Sequence, residues 1–263
     1  MAVKIKEIIA LVEKLAPLDG MCNWDNVGLI IGNGEADTAK VFITLDVTDE
    51  VVLEAINKKV RLIITHHPVI FSGIKEINTS TSLGKRLLAL IKNDISVYSA
   101  HTNLDVAVGG TNDIFFDLLG LKEKGMLEVE FTALGRTGIC DKGFSLKDYA
   151  NFLRKKLFVS YLKYAGDPDK IMKKIGFATG SASGIKYFTE AAKASCDLYI
   201  TGDISYHEAQ AALDMGLNII DAGHFPTEII VVSALCRYLK AAAIENNWDI
   251  EIEAAIQRDI FYM

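Results

Sequence analysis

Residues 61–71 read RLIITHHPVIF. The apolar run up to Thr65 has the composition of a short buried strand, and His66 and His67 follow it before Pro68. Imidazoles contribute nothing to burying a strand, so their meaning depends on what the other strand ends carry. Outward from this stretch, strand-like runs alternate with helix-period segments. Upstream lie an amphipathic helix ending at Pro17, then VGLIIG (27–32), KVFITLDV (40–47) and a helix opening at Thr48 with Asp49 and Glu50 in its first turn. Downstream come a helix in 82–94, the strand ISVYSA (95–100) and a helix opened by Gly109-Gly110-Thr111-Asn112.

Residues 121–170 are less regular, with a strand-like FTALGRTGIC (131–140) and a helix from Ser145, where SLKD fits a capping box. Alternation then resumes with KIGFATG (174–180), a helix in 184–195, DLYITG (197–202), a helix from Tyr206, LNIID (217–221) and a long helix from Pro226. The pattern predicts an α/β fold with mostly parallel sheets. The halves also resemble each other in order: 41–56 with 175–192, 61–70 with 197–206, and 95–105 with 217–228. We therefore expect two related, duplicated α/β domains, residues 1–125 and 126–263, allowed to interleave.

The composition sets outer bounds. The 263 residues are half hydrophobic, enough to bury a core without disulfides or a structural metal. A net charge of −6 gives nucleic-acid binding no bulk electrostatic support. Cys22, Cys140, Cys196 and Cys236 form no C-x-x-C pair and read as reduced thiols of a cytoplasmic protein. No apolar run is long enough to span a bilayer, and the N-terminus lacks the uninterrupted apolar core of a signal peptide.

Three strand ends carry ligand-type residues. The first delivers His66 and His67, the second His101 and then Asp105, the third His224 and then Glu228. In open α/β sheets, sites gather beyond the carboxyl ends of strands. A lone histidine there is usually a hydrogen-bonded surface or core residue. Four of the chain's five histidines at such ends, with carboxylates at matched spacing, point to divalent metal: zinc, iron or manganese. Adjacent side chains diverge along an extended strand, so His66 and His67 are expected to reach two neighbouring ions. The ligand set is His66, His67, Asp105, His224 and Glu228, with His101 in reserve. His207, in a predicted helix, is either a surface residue or a supporting one. The turn ATGSASGIK (178–186) precedes a helix and is a candidate anion cradle, although an ordinary turn is the simpler reading. Trp24-Asp25-Asn26 reads as a structured loop, with Trp24 packing and its neighbours supplying turn hydrogen bonds.

At these residues the chain resembles the NIF-three-like family, whose bacterial members commonly carry the name GTP cyclohydrolase 1 type 2 homologue. The matching stretches are 23–32, 64–71, 100–113, 201–209 and 221–228, in order and spanning nearly the whole chain. The resemblance implies a dinuclear metal centre in a cleft between two related domains, held by His66, His67, Asp105, His224 and Glu228. It implies a ring-shaped homohexamer in the compact form that lacks an inserted domain. It also implies hydrolysis of GTP at purine C8 with release of formate, His101 or His207 serving as proton shuttle. Asp203 stands where the family often has Glu. The alternative is a non-enzymatic, metal-binding hexamer with an interaction or regulatory role.

Overall fold

In the computed structural model, which describes residues 3–261, the opening stretch is the centre of a sheet. The chain divides into two compact units, Met1–Val108 with Val231–Arg258, and Gly109–Ile230 with Asp259–Met263. Strand β1 (Val3–Lys4) leads into helix α1 (Ile5–Leu15), which buries Ile5, Ile8, Ile9 and Val12 on one stripe. Then come β2 (Gly28–Ile31), β3 (Asp37–Thr38, paired with β1) and β4 (Lys40–Thr44). Helix α2 (Asp49–Asn57) starts as the sequence predicts, the Thr48 hydroxyl accepting the Val51 N–H at 3.2 Å. Next are β5 (Leu62–Thr65), α3 (Ser82–Lys92), β6 (Ser96–Ser99) and the short α4 (Thr102–Val106).

Strands β4, β5 and β6 run parallel and adjacent, and Thr44, Thr65 and Ser99 fall in one row. The three strands therefore stop together. β2 pairs antiparallel with β6, and the C-terminal strand Glu251–Ala254 pairs parallel with β4 at the opposite edge. Phe42, Ile63 and Val97 pack with Val51, Val52 and Ala55 of α2 and Leu90 of α3 on one face.

The second unit contains α5 (Thr111–Leu119), β7 (Lys122–Val129), β8 (Thr132–Ser145), α6 (Leu146–Lys156), β9 (Lys163–Ala165), β10 (Ile171–Phe177), α7 (Ile185–Lys193), β11 (Leu198–Thr201), α8 (Tyr206–Asp214), β12 (Asn218–Asp221) and the start of α9 (His224–Glu245). The expected helix from Ser145 forms, with the Asp148 N–H donating to the Ser145 hydroxyl at 3.2 Å. Strands β10, β11 and β12 repeat the parallel, adjacent arrangement. Leu198, Ile200 and Ile220 pack with Phe115 of α5 and Tyr149 of α6, whereas Tyr199 and Ile219 pack with Phe188 of α7 and Ala212 of α8. The sheet is thus covered on both faces.

The expectation of mostly parallel sheets holds for the five-stranded sheet, where β2 alone pairs antiparallel, and needs correction for the six-stranded one; both larger sheets are mixed. In the second, β7 and β8 form a hairpin, β8 pairs antiparallel with β10, and β9 pairs antiparallel with β12. Val129 faces Thr132 across a two-residue turn, Glu130-Phe131, with φ of 52° and 66°. Two positive φ angles make the turn whose twist suits a hairpin, but the Asn-Gly chemistry that usually announces it is missing. Among the described residues, no helix is long and apolar enough to cross a membrane.

Arg136 on β8 is fully buried. Its Nε donates to Asp113 Oδ1 at 2.7 Å and its Nη1 to the carbonyls of Ala133 and Gly135 at 2.9 and 3.0 Å. Lys124 Nζ and the Gly109 N–H reach Asp113 Oδ2 at 3.0 Å each. Burial pushes the Asp113 carboxyl up, but the bonds from Gly109, Lys124 and Arg136 outweigh it and hold the pKa below its ordinary value. Its contribution to stability is present above the ordinary carboxylate pKa and is lost as the pH falls through the lowered one. Replacing Asp113 with Ala removes the carboxylate that the buried Arg136 guanidinium shares with Lys124. We expect a loss of about 3–5 kcal/mol, read as a lowered midpoint in chemical denaturation.

Candidate metal centre

Beyond the Thr44–Thr65–Ser99 row, backbone pairing continues for two residues. The His66 N–H donates to the Thr44 carbonyl at 3.0 Å and the His67 N–H to the Leu45 carbonyl at 2.9 Å. On the other side, the Ser99 hydroxyl donates to the His66 carbonyl at 3.1 Å. The Thr65 hydroxyl spans the bend, its one hydrogen shared between the carbonyls of Leu45 and His67 at 2.9 and 3.0 Å. The strand itself has ended, so the alternation of side chains ends with it. The imidazoles of His66 and His67 lie side by side, ring centroids 5.1 Å apart. His101, preceding α4, joins them, with centroids 5.2 and 5.6 Å away. One ring nitrogen from each of His66, His67 and His101 lies within 4.8 Å of the others. One turn along α4, Asp105 Oδ1 lies 3.6 Å from His66 Nε2.

Each ring is oriented through its other nitrogen. His66 Nδ1 meets the Ala100 carbonyl at 2.8 Å, His67 Nδ1 meets Asp46 Oδ1 at 2.8 Å, and His101 Nδ1 meets Asp25 Oδ1 at 2.8 Å. A carbonyl only accepts, so His66 carries its proton on Nδ1 and presents the Nε2 lone pair. A carboxylate or carbonyl holding Nδ1–H is the arrangement that fixes the tautomer of a metal-ligating histidine. Asp25 is the most constrained of these acids. It also takes the Thr102 N–H at 3.0 Å and the Thr102 hydroxyl. Burial would raise its pKa, but the bonds from His101 and Thr102 outweigh it and bring it down to about 2.

The second unit uses the same device at the end of β12. Helix α9 begins at His224, two residues before the expected Pro226, so Pro226 lies inside the first turn, where its missing N–H costs nothing. His224 Nε2 and Glu228 Oε2 are 3.0 Å apart across one helical turn, and His224 Nδ1 meets Asp203 Oδ2 at 2.7 Å. Asp203 holds φ of 57° to do so. Gly180, at φ 70°, lies against this pair, and a Cβ there would overlap Glu228 Oε1. Its N–H donates to the Thr227 hydroxyl at 3.0 Å, and its carbonyl accepts the Gly202 N–H at 2.8 Å. The turn 178–186 therefore packs against the Glu228 carboxylate through Gly180. This donor chemistry, neutral imidazoles and carboxylates with second nitrogens tethered, suits a divalent transition metal.

The family model for Duf34/NIF3 (NGG1p interacting factor 3) matches residues 3–259. The chain belongs to that family. A Clostridium perfringens (strain 13 / Type A) protein named GTP cyclohydrolase 1 type 2 homolog is 40% identical over 261 residues, covering 97% of each chain. Among solved structures, the Bacillus cereus protein related to NIF3 superposes with a TM-score of 0.93 at 25% identity, covering 99% of each chain. Reduced HcgD from Methanocaldococcus jannaschii gives 0.84 at 30% identity, covering 97% of this chain and 98% of that one.

In this NIF3 chain, His66, His67, His101 and Asp105 are brought together in the first unit, and His224 and Glu228 in the second. His101, held in reserve on sequence grounds, stands fully within the first cluster. His207 lies exposed in the first turn of α8, edge-on to Tyr206 with centroids 5.4 Å apart. Sequence reasoning missed the acids that steer the rings, Asp46, Asp203 and Asp25, the last of which it reads as supplying turn hydrogen bonds. Asp46 and Asp203 each follow the last residue of a strand of the parallel triplets by two positions, which is the signal that could have found them. We expect Asp203→Ala to weaken metal binding about 10- to 100-fold, measured by competition with a chromogenic chelator. Gly180→Ala should weaken it by displacing Glu228, while circular dichroism stays unchanged. The His66→Ala, His67→Ala double variant should lose metal by elemental analysis.

Proposed function

We propose that this protein is a metal-dependent hydrolase acting on a nucleotide, opening the GTP purine ring with release of formate. The observation that carries this reading is the convergence of three imidazoles, His66, His67 and His101, with Nδ1 of each tied to an oxygen. The name of the Clostridium perfringens relative supplies the substrate. In this reading His66, His67, Asp105, His224 and Glu228 hold two divalent ions, in a cleft between two duplicated α/β domains, residues 1–125 and 126–263 with interleaving. The matched strand triplets β4–β5–β6 and β10–β11–β12 support the duplication. When bound, such ions supply Lewis acidity and a water-derived nucleophile at neutral pH.

The chain's own groups do the rest. Asp46, Asp25 and Asp203 hold the Nδ1 protons of His67, His101 and His224, so each ring keeps its Nε2 lone pair available. His101 is the nearer candidate to move a proton to the leaving group, imidazole being suited to transfer near neutral pH. His207 is the second. We propose further that the protein works in the cytoplasm as a toroidal homohexamer, for which light scattering should give six chain masses.

The decisive measurement is formate release from GTP by wild type and Glu228→Gln at matched metal loading. The substitution keeps size but removes a charge that balances the metals. We expect formate from the wild type, none from the variant, weaker metal retention and an unchanged circular dichroism spectrum. No formate with zinc, iron or manganese would remove the cyclohydrolase reading and leave a metal-binding assembly with an interaction or regulatory role.

A further inference from the structure

Trp24 and Phe71 belong to different loops of the first unit and are 57% and 53% exposed. Large aromatic rings dominate cores, so two of them held together in the open need a reason. Trp24 is therefore not the packing residue that its loop suggests. The rings contact each other, centroids 5.9 Å apart at 48°. Both stand edge-on to His101, each 6.3 Å away, at 75° and 76°.

The arrangement is tied from beneath. Asp25, next to Trp24, receives His101 Nδ1 and the Thr102 N–H. Asn26 Nδ2 donates to the carbonyl of Ile70, the residue before Phe71, at 2.5 Å. The same loop therefore fixes the two aromatic rings and one imidazole of the cluster. A ring lying on Trp24 and Phe71 comes to rest beside His101.

We propose that Trp24 and Phe71 form the stacking platform for a planar nitrogen heteroaromatic ring of the purine class. The proposal rests on the functional reading for its choice of site. Aromatic faces accept a base without demanding particular hydrogen-bond partners. The sequence contains no G-x-x-x-x-G-K-[ST] phosphate loop, and a platform for the ring supplies binding that does not depend on one. Offset or tilted stacking against two non-coplanar rings also leaves the ring edge free to face the imidazoles.

The chain has two tryptophans, so Trp248→Phe leaves Trp24 as the sole indole emitter. In that background, guanosine 5′-monophosphate and ribose 5-phosphate are titrated against Trp24 fluorescence, with zinc and separately with chelator. We expect saturable quenching by the nucleotide, none by the sugar phosphate, and roughly ten-fold weaker binding in Phe71→Ala. Calorimetry on Trp24→Ala should show a similar loss, and Trp24→Phe should restore most of it. Absent quenching in both conditions, or equal quenching by ribose 5-phosphate, overturns the proposal. So does a Phe71→Ala variant that changes the mass in light scattering but not the titration. That result would make the platform a subunit contact shared with Ile74 and Ile77, which are exposed in the same loop. The readout is binding, not turnover. Saturable quenching without formate release keeps the platform and removes the hydrolase, whereas formate release without quenching does the reverse.

Discussion

Everything at the first metal-type cluster depends on how the backbone is held after Thr65 stops being part of a strand. The ladder bonds from the His66 and His67 N–H groups to Thr44 and Leu45 continue the sheet's grip beyond its last row. Two consecutive side chains then lie on one side of a bend, which no extended strand allows. The Thr65 hydroxyl bridges carbonyls on both sides of that bend and so helps hold the turned backbone. Because β4, β5 and β6 stop in one row, the residues that leave them are delivered to a common level. His101 and Asp105 arrive from β6 at the level where the histidines leave β5.

The second constraint is tautomeric. Four imidazoles present Nδ1 to an oxygen, three times to a carboxylate and once to a carbonyl. Repetition in both units argues for a shared requirement, since a histidine kept only for packing has no need to expose one particular nitrogen. The acids are themselves anchored. Asp25 is pinned by Thr102, while Asp203 occupies a left-handed backbone conformation that brings its carboxylate to His224. Strain of that kind collects at functional sites.

Much of this was legible in the sequence. Strand ends followed by His-His, by His and Asp, and by His and Glu marked the ligand-type residues, because strand composition and following polar residues are local signals. Helix starts at Thr48 and Ser145 were legible for the same reason. The antiparallel strands were not. β7 is charged along much of its length and turns through Glu130-Phe131, which carries none of the usual hairpin chemistry. β9 has three residues, too few for any periodicity. Which histidine each steering acid serves was illegible, because the pairing is made through space, Asp25 across 76 positions to His101. Trp24 was misread because an aromatic residue in a loop defaults to packing, and only the fold reveals that its ring stays out beside an imidazole.

The C-terminal strand Glu251–Ala254 forms the outer edge of a sheet whose other strands all lie before residue 100. A ribosome delivers those earlier strands first. Throughout synthesis of the second unit and of α9, the outer edge of β4 therefore has open N–H and C=O groups and an apolar sequence. An unpaired edge of that kind is a template for other chains. Arrival of residues 251–254, rather than emergence of the first unit, sets the moment at which this edge is covered. Deleting residues 251–254 reopens that hazard while leaving every candidate metal ligand in place.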